Sequence, residues 1–125
     1  TITFFGITYK SGTPTLTSSL PLKVAKKTLL LGSKVNLCDP WVHEQEIPTE
    51  IPAGKYSYFA DPYKAVKGSH IIICITPWAQ LKKLDFKKIG RLMTSPKVFF
   101  DARNYFMEES DKIEGAAIKY IGIGR

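Results

Sequence analysis

Cysteine, histidine, methionine and tryptophan are scarce in this chain of 125 residues, with two of each. Cys38 and Cys74 sit in separate apolar, strand-like runs. His43 and His70 are far apart and have no metal-ligand spacing, so no metal site is assigned. The thiols are expected to be buried and free in a reducing compartment, which excludes a disulfide scaffold. No apolar run approaches the roughly 20 residues that span a bilayer, and no secretory-signal layout opens the chain. The expectation is a cytoplasmic protein with no membrane partner. The chain opens on Thr1 inside a strand-like run, so it reads as a piece of a longer protein.

Three chemistries lack their motifs. A dinucleotide fingerprint needs three closely spaced glycines, and Gly6 and Gly12 are too far apart. A P-loop needs Gly-Lys-Ser/Thr entering a helix, and there is none. No serine or cysteine stands beside a histidine and an acid in a local nucleophile motif, so no catalytic residue is assigned. Negative charge is also short: 11 acids against 18 lysines and arginines give a net charge of +7. That balance fits an anionic partner or simply a soluble basic surface. The densest basic segment, Leu81–Leu92, interleaves leucine and isoleucine rather than aromatics with its cations. It reads as a solvated helix face, and nucleic acid is not expected as a partner.

What is present is alternation. "TITFFGITY" is β-branched and aromatic, a first strand. "SSLPLKVAKKTLLLG" follows as a helix, with Ser18 or Ser19 as cap and Gly32 at the end. Its apolar stripe is expected from Leu20, Val24 and Leu31, with parts of Ala25 and Thr28. "KVNLCDPW" is a strand, and Trp41 to Gly54 reads as loop and short turns. "KYSYF" is a short strand, and "DPYKAVKG" a compact helix capped by Asp61. "HIIICIT" is expected to be a central strand covered on both faces. One or two helices, the strand "KVFFDAR", the helix "YFMEESDKIEG" and the strand "IKYIGIG" complete the chain. The order predicts an α/β domain with a mostly parallel sheet of about six strands and helices on both faces.

In such sheets ligands lie beyond the carboxyl ends of the strands. After the first strand come Lys10 and the hydroxyls Thr13, Thr15, Thr17, Ser18 and Ser19, at a helix N-terminus suited to phosphate or to capping. After the second comes Asp39, where a nicotinamide-binding fold places its ribose acid; without the glycines a turn aspartate is the better reading. Trp78 follows the buried strand, either lining a pocket or packing at the strand–helix junction. Asp101 and Arg103 follow "KVFF". Arg103 is suited to a bidentate grip on phosphate, or to an ion pair with Asp101 or another nearby acid.

Six segments carry a resemblance over nearly the whole chain: "GITYK", "GSKVNLCDP", "DPYKAVKGSHIIICITPW", "LDFKKI", "VFFDARN" and "YIGIGR". In this order and spacing they resemble the C-terminal, UDP-binding domain of the UDP-glucose/GDP-mannose dehydrogenases. The resemblance implies a Rossmann-like domain, residues 1–125, at the end of a longer oxidoreductase. The parent would bind NAD in an N-terminal domain, dimerise through a helical middle segment, and close a UDP-sugar between its terminal domains. Its catalytic cysteine would lie in the earlier part, and Cys38 and Cys74 do not match that position. By the same resemblance Tyr9, Lys10 and Arg103 bind the substrate. Thr17 stands where the family has a cofactor-side arginine, Thr15 where it has an acid, and Ala102 where it has a glycine. No cofactor is expected to bind this domain tightly alone. The substrate reads as UDP-glucose, with another nucleotide sugar (a UDP-N-acetyl-hexosamine or GDP-mannose), or a non-catalytic assembly or ligand-binding module, as alternatives.

Overall fold

The computed structural model describes residues 1–9, 16, 19–47, 51 and 54–124. Six strands form one sheet: β1 (Ile2–Phe5), β2 (Val35–Cys38), β3 (Tyr56–Phe59), β4 (Ile71–Cys74), β5 (Val98–Asp101) and β6 (Lys119–Gly122). Their order is β3-β2-β1-β4-β5-β6, and every described pairing is parallel. This is the doubly wound, Rossmann-like arrangement, with the topological switch between β1 and β4. The strands run in step. Phe59, Cys38, Phe5, Cys74, Asp101 and Gly122 end them at one level. The residues that follow therefore share one edge.

Local chemistry sets the helices. In α1 (Leu20–Leu30) the Ser19 hydroxyl accepts the Leu22 N–H and donates to the Ile7 carbonyl at 2.6 Å. One buried side chain thus caps the helix and ties it to the segment leaving β1. In α2 (Pro62–Val66) Asp61 accepts from Tyr63 N–H with Pro62 at the start. In α3 (Phe86–Leu92) Asp85 accepts from Lys88 N–H. A 3-10 turn at Met107–Glu109 runs into α4 (Ser110–Gly115).

The expected stripe of α1 is corrected at its ends. Leu20 and Leu31 are exposed and Pro21 and Leu22 are buried in their place, while Ala25 is buried as expected, with Val24 and Leu29 packed at the margin. Positions 22, 25 and 29 share a face at helical pitch, which the strongly apolar ends of the segment obscure.

Helices lie on both faces, but unequally. α1 packs on Phe4, Val35 and Leu37, joined by Val42, Ile47 and Ile51 from the β2–β3 connection. α2, α3 and α4 pack on the other face, around Phe5, Ile72, Cys74 and Phe99. Phe99 stands at its centre, edge-to-face with Phe5, Phe86 and Phe106. β4 is central, as expected, but only Ile72 and Cys74 are fully buried. Ile71 and Ile73, in register with β1 residues on the α1 side, are half-buried, because α2, α3 and α4 all lie on the opposite face.

Candidate functional site

β1 and β4 stay together beyond their ends. The Thr76 hydroxyl donates to the Thr8 carbonyl at 2.7 Å. Gly6 has φ +82°, and a Cβ there would overlap the Thr76 carbonyl oxygen. Glycine is thus required both by the backbone angle and by the approach of the two segments.

The same place is occupied by Trp78, which is buried. Its indole N–H donates to Asp39 Oδ2 at 3.3 Å, reaching from the end of β4 across β1 to the end of β2. Asp39 is fully buried. Its Oδ2 also accepts the Ile7 N–H at 3.0 Å, and its Oδ1 accepts the Trp41 N–H at 2.8 Å. Burial pushes this carboxyl above its ordinary range, and the three donors offset only part of the shift. Asp39 is therefore the turn aspartate, not a ribose ligand. Its oxygens are engaged, Trp78 reaches across the switch point, and the three-glycine fingerprint is missing from the sequence.

The end of β5 is built differently. Asp101 is buried and accepts the Phe106 N–H at 2.7 Å, the Tyr120 hydroxyl at 2.7 Å and the Arg103 N–H at 3.2 Å. So Asp101 holds the backbone of Arg103. The ion pair with Asp101 considered from sequence is not formed, and the carboxylate spends its oxygens on the loop and on Tyr120 of β6. Asn104, at φ +53°, exchanges hydrogen bonds with the backbone of Ile123 just beyond β6. The Arg103 side chain is exposed on this braced loop, and among the described residues no acid pairs with it. Tyr9, beyond the end of β1 on the same edge, is 51% exposed. Lys10 and Thr17 lie outside the described residues, as do Thr13, Thr15 and Ser18. Ser19 is committed to capping.

Neither cysteine offers a thiolate. Burial, with the carboxylates of Asp39 and Asp61, pushes the Cys38 thiol up to about 12. Cys74 is pushed well up by burial, with Asp101 adding to it. Among the described residues no group of histidines, cysteines and acids could hold a metal, and no helix is long and apolar enough to cross a membrane.

Sequence reasoning missed one arrangement on this edge. Trp41 is 52% exposed and stacks on Trp78, with ring centroids 5.1 Å apart and planes 9° from parallel. The one signal in the sequence is the tryptophan directly after Asp39-Pro40. It also missed that the basic face has aromatic partners: Lys82 lies over the Tyr105 ring and Lys88 over Tyr63.

Comparison with known proteins identifies the family. A UDP-glucose 6-dehydrogenase from Gallus gallus is 26% identical over 97% of the chain, which spans 27% of that protein. One from Rickettsia bellii is 29% identical over 98% of the chain and 27% of its own length. Among solved structures, a UDP-glucose dehydrogenase from Pyrobaculum islandicum superposes with a TM-score of 0.71 at 25% identity, covering 97% of this chain and 24% of that one. A UDP-D-ManNAc dehydrogenase from Pyrococcus horikoshii gives 0.69 at 25% identity, covering 99% and 25%. The chain thus spans about a quarter of the length of each. Residues 3–108 match the UDP binding domain of the UDP-glucose/GDP-mannose dehydrogenase family, and the chain belongs to that family.

Proposed function

We propose that residues 1–125 form the nucleotide-sugar-binding domain of an NAD-dependent UDP-glucose 6-dehydrogenase-like enzyme, which oxidises UDP-glucose to UDP-glucuronate. The single observation that carries the reading is Arg103. It projects from a loop braced by Asp101 and Asn104, at the carboxyl edge of a domain matched to a UDP-binding family. A guanidinium that forms no ion pair among the described residues is a fork of donors for a diphosphate. Lys10 supplies a second positive charge, and Tyr9 shapes the substrate side. Thr17 leaves the cofactor-facing position uncharged.

The rest of the enzyme supplies the NAD-binding domain, the nucleophile and the dimerisation segment, and the assembly is cytoplasmic. NAD belongs to that other domain, consistent with the missing three-glycine fingerprint here. A second reading, another UDP-linked sugar as substrate, is favoured by one observation: the Pyrococcus horikoshii UDP-D-ManNAc dehydrogenase superposes nearly as well. Calorimetric titration of the chain with UDP and with uridine tests the proposal. UDP is expected to bind in about the millimolar range, roughly −4 kcal/mol, and at least about ten-fold tighter than uridine. Equal affinity for the two contradicts a phosphate-centred site.

A further inference from the structure

Trp41 and Trp78 are the only tryptophans in the chain, and they leave different strands. One buried carboxylate holds both, since Asp39 accepts the backbone N–H of Trp41 through Oδ1 and the indole N–H of Trp78 through Oδ2. Trp78 is packed beneath, and Trp41 lies on it almost parallel, with half its surface in solvent. A large apolar ring rarely stays exposed while being fixed so firmly. Here the stacking and Asp39 hold it at a set angle before any ligand arrives.

The place is also specific. The ends of β2 and β5 are separated by β1 and β4, so three inter-strand spacings, about 14 Å, lie between the starts of the Trp41 and Arg103 loops. Both loops leave the same edge of the sheet. One end of the edge offers a flat aromatic surface and the other a cation. A nucleotide has the complementary pair, a planar base and a phosphate group.

We propose that the outer face of Trp41 is a stacking platform for a nucleobase. The phosphate end of the inference rests on the reading of Arg103 above; the platform does not. Stacking on an indole tolerates any base, because every base has a π-face. The base can therefore come from the nucleotide sugar or from the dinucleotide cofactor held by a facing domain. Asp39 is not part of the ligand contact, since its oxygens are taken.

The platform is tested by tryptophan fluorescence, excited selectively over the six tyrosines, which then reports on this pair alone. The chain is titrated with UDP, uridine, AMP and ribose 5-phosphate, with correction for ligand absorbance. Quenching by the base-bearing ligands, and none by ribose 5-phosphate, is the expected result. Quenching by UDP and uridine but not AMP identifies the nucleotide sugar as the source of the base, and the reverse identifies the cofactor. In parallel, ligand-observed NMR measures affinity for the quenching ligand in Trp41→Ala and Trp41→Phe. Trp41→Ala should weaken it about ten-fold, with Trp41→Phe recovering part of the loss. Unchanged affinity in Trp41→Ala, with UDP still bound by the wild type, overturns the platform and leaves the diphosphate reading intact. Absence of quenching by every base-bearing ligand also overturns it. Loss of UDP binding in an Arg103 variant, with uridine quenching retained, separates failure at the phosphate end from failure here.

Discussion

The side-chain amide of Asn104 and the backbone of Ile123 exchange two hydrogen bonds, Nδ2 to the Ile123 carbonyl at 3.0 Å and the Ile123 N–H to Oδ1 at 2.9 Å. They fasten the loop after β5 to the end of β6, with Asn104 in the left-handed region at φ +53°. Arg103 sits between this clamp and Asp101. Asn104→Gly keeps the backbone freedom and removes the bonds, at about 0.5–1.5 kcal/mol for each exposed bond lost. Asn104→Ala adds a left-handed penalty of roughly 1–2 kcal/mol. Denaturant titration should rank the two in that order, and both should weaken UDP binding by loosening Arg103.

Gly6 and Gly32 separate two effects that glycine usually mixes. Both have positive φ, +82° and +93°, but a Cβ at Gly32 meets nothing within 4 Å, whereas one at Gly6 runs into the backbone of Thr76. Gly32→Ala should lose about 1–2 kcal/mol, the conformational part alone. Gly6→Ala should lose more than about 3 kcal/mol, since overlap with main chain is added to it. Urea midpoints at unchanged slope would measure both.

Asp39→Asn tests the buried carboxylate. An amide has one acceptor oxygen where the carboxylate uses two, so at least one of the Ile7, Trp41 and Trp78 donors is orphaned. The expected loss is about 1–3 kcal/mol. Trp78 should become more solvated, visible as a red shift in tryptophan emission. A neutral stability change with an unaltered spectrum would mean the carboxylate does not hold the indole pair.

Cys38 sets an alkaline limit. Its folded thiol is pushed from 9.0 to about 12, so above pH 9 the unfolded chain loses this proton first. The unfolded state then binds fewer protons than the folded one, and stability falls as pH rises. The contribution is fully present below pH 9 and is lost progressively towards pH 12. Cys74 adds in the same direction. Stability measured between pH 8 and 11 should fall in the wild type and less steeply in Cys38→Ala. Equal slopes would contradict the assignment.

Much of this fold was legible because its signals are local. Ser19 and Asp61 cap helices as their positions relative to the apolar runs predict, with Pro62 at the start of α2. Strand–helix alternation implies parallel pairing. The strand order was not legible, because β-branched runs such as Ile71–Cys74 say that a strand is buried and not which neighbours it has. For the same reason the unequal covering of the sheet escaped notice. At the site, the position of Arg103 followed from its place after β5, but its freedom did not: which acids it meets depends on where Asp101 spends its oxygens. Asp39 read correctly as a turn residue, yet its second role lies 39 positions along the chain at Trp78, where no periodicity reaches.

The central claim is that this edge holds a nucleoside diphosphate through Arg103. It is tested most directly by calorimetric titration of UDP into the wild-type chain, Arg103→Ala and Arg103→Lys, with denaturant midpoints confirming that each variant is folded. The exposed side chain makes stability insensitive to either change, within about 0.5 kcal/mol. UDP affinity should fall at least about ten-fold in Arg103→Ala and recover only in part in Arg103→Lys, which restores the charge without the planar fork. Uridine binding should not change. Equal UDP affinity in all three folded proteins would contradict the account.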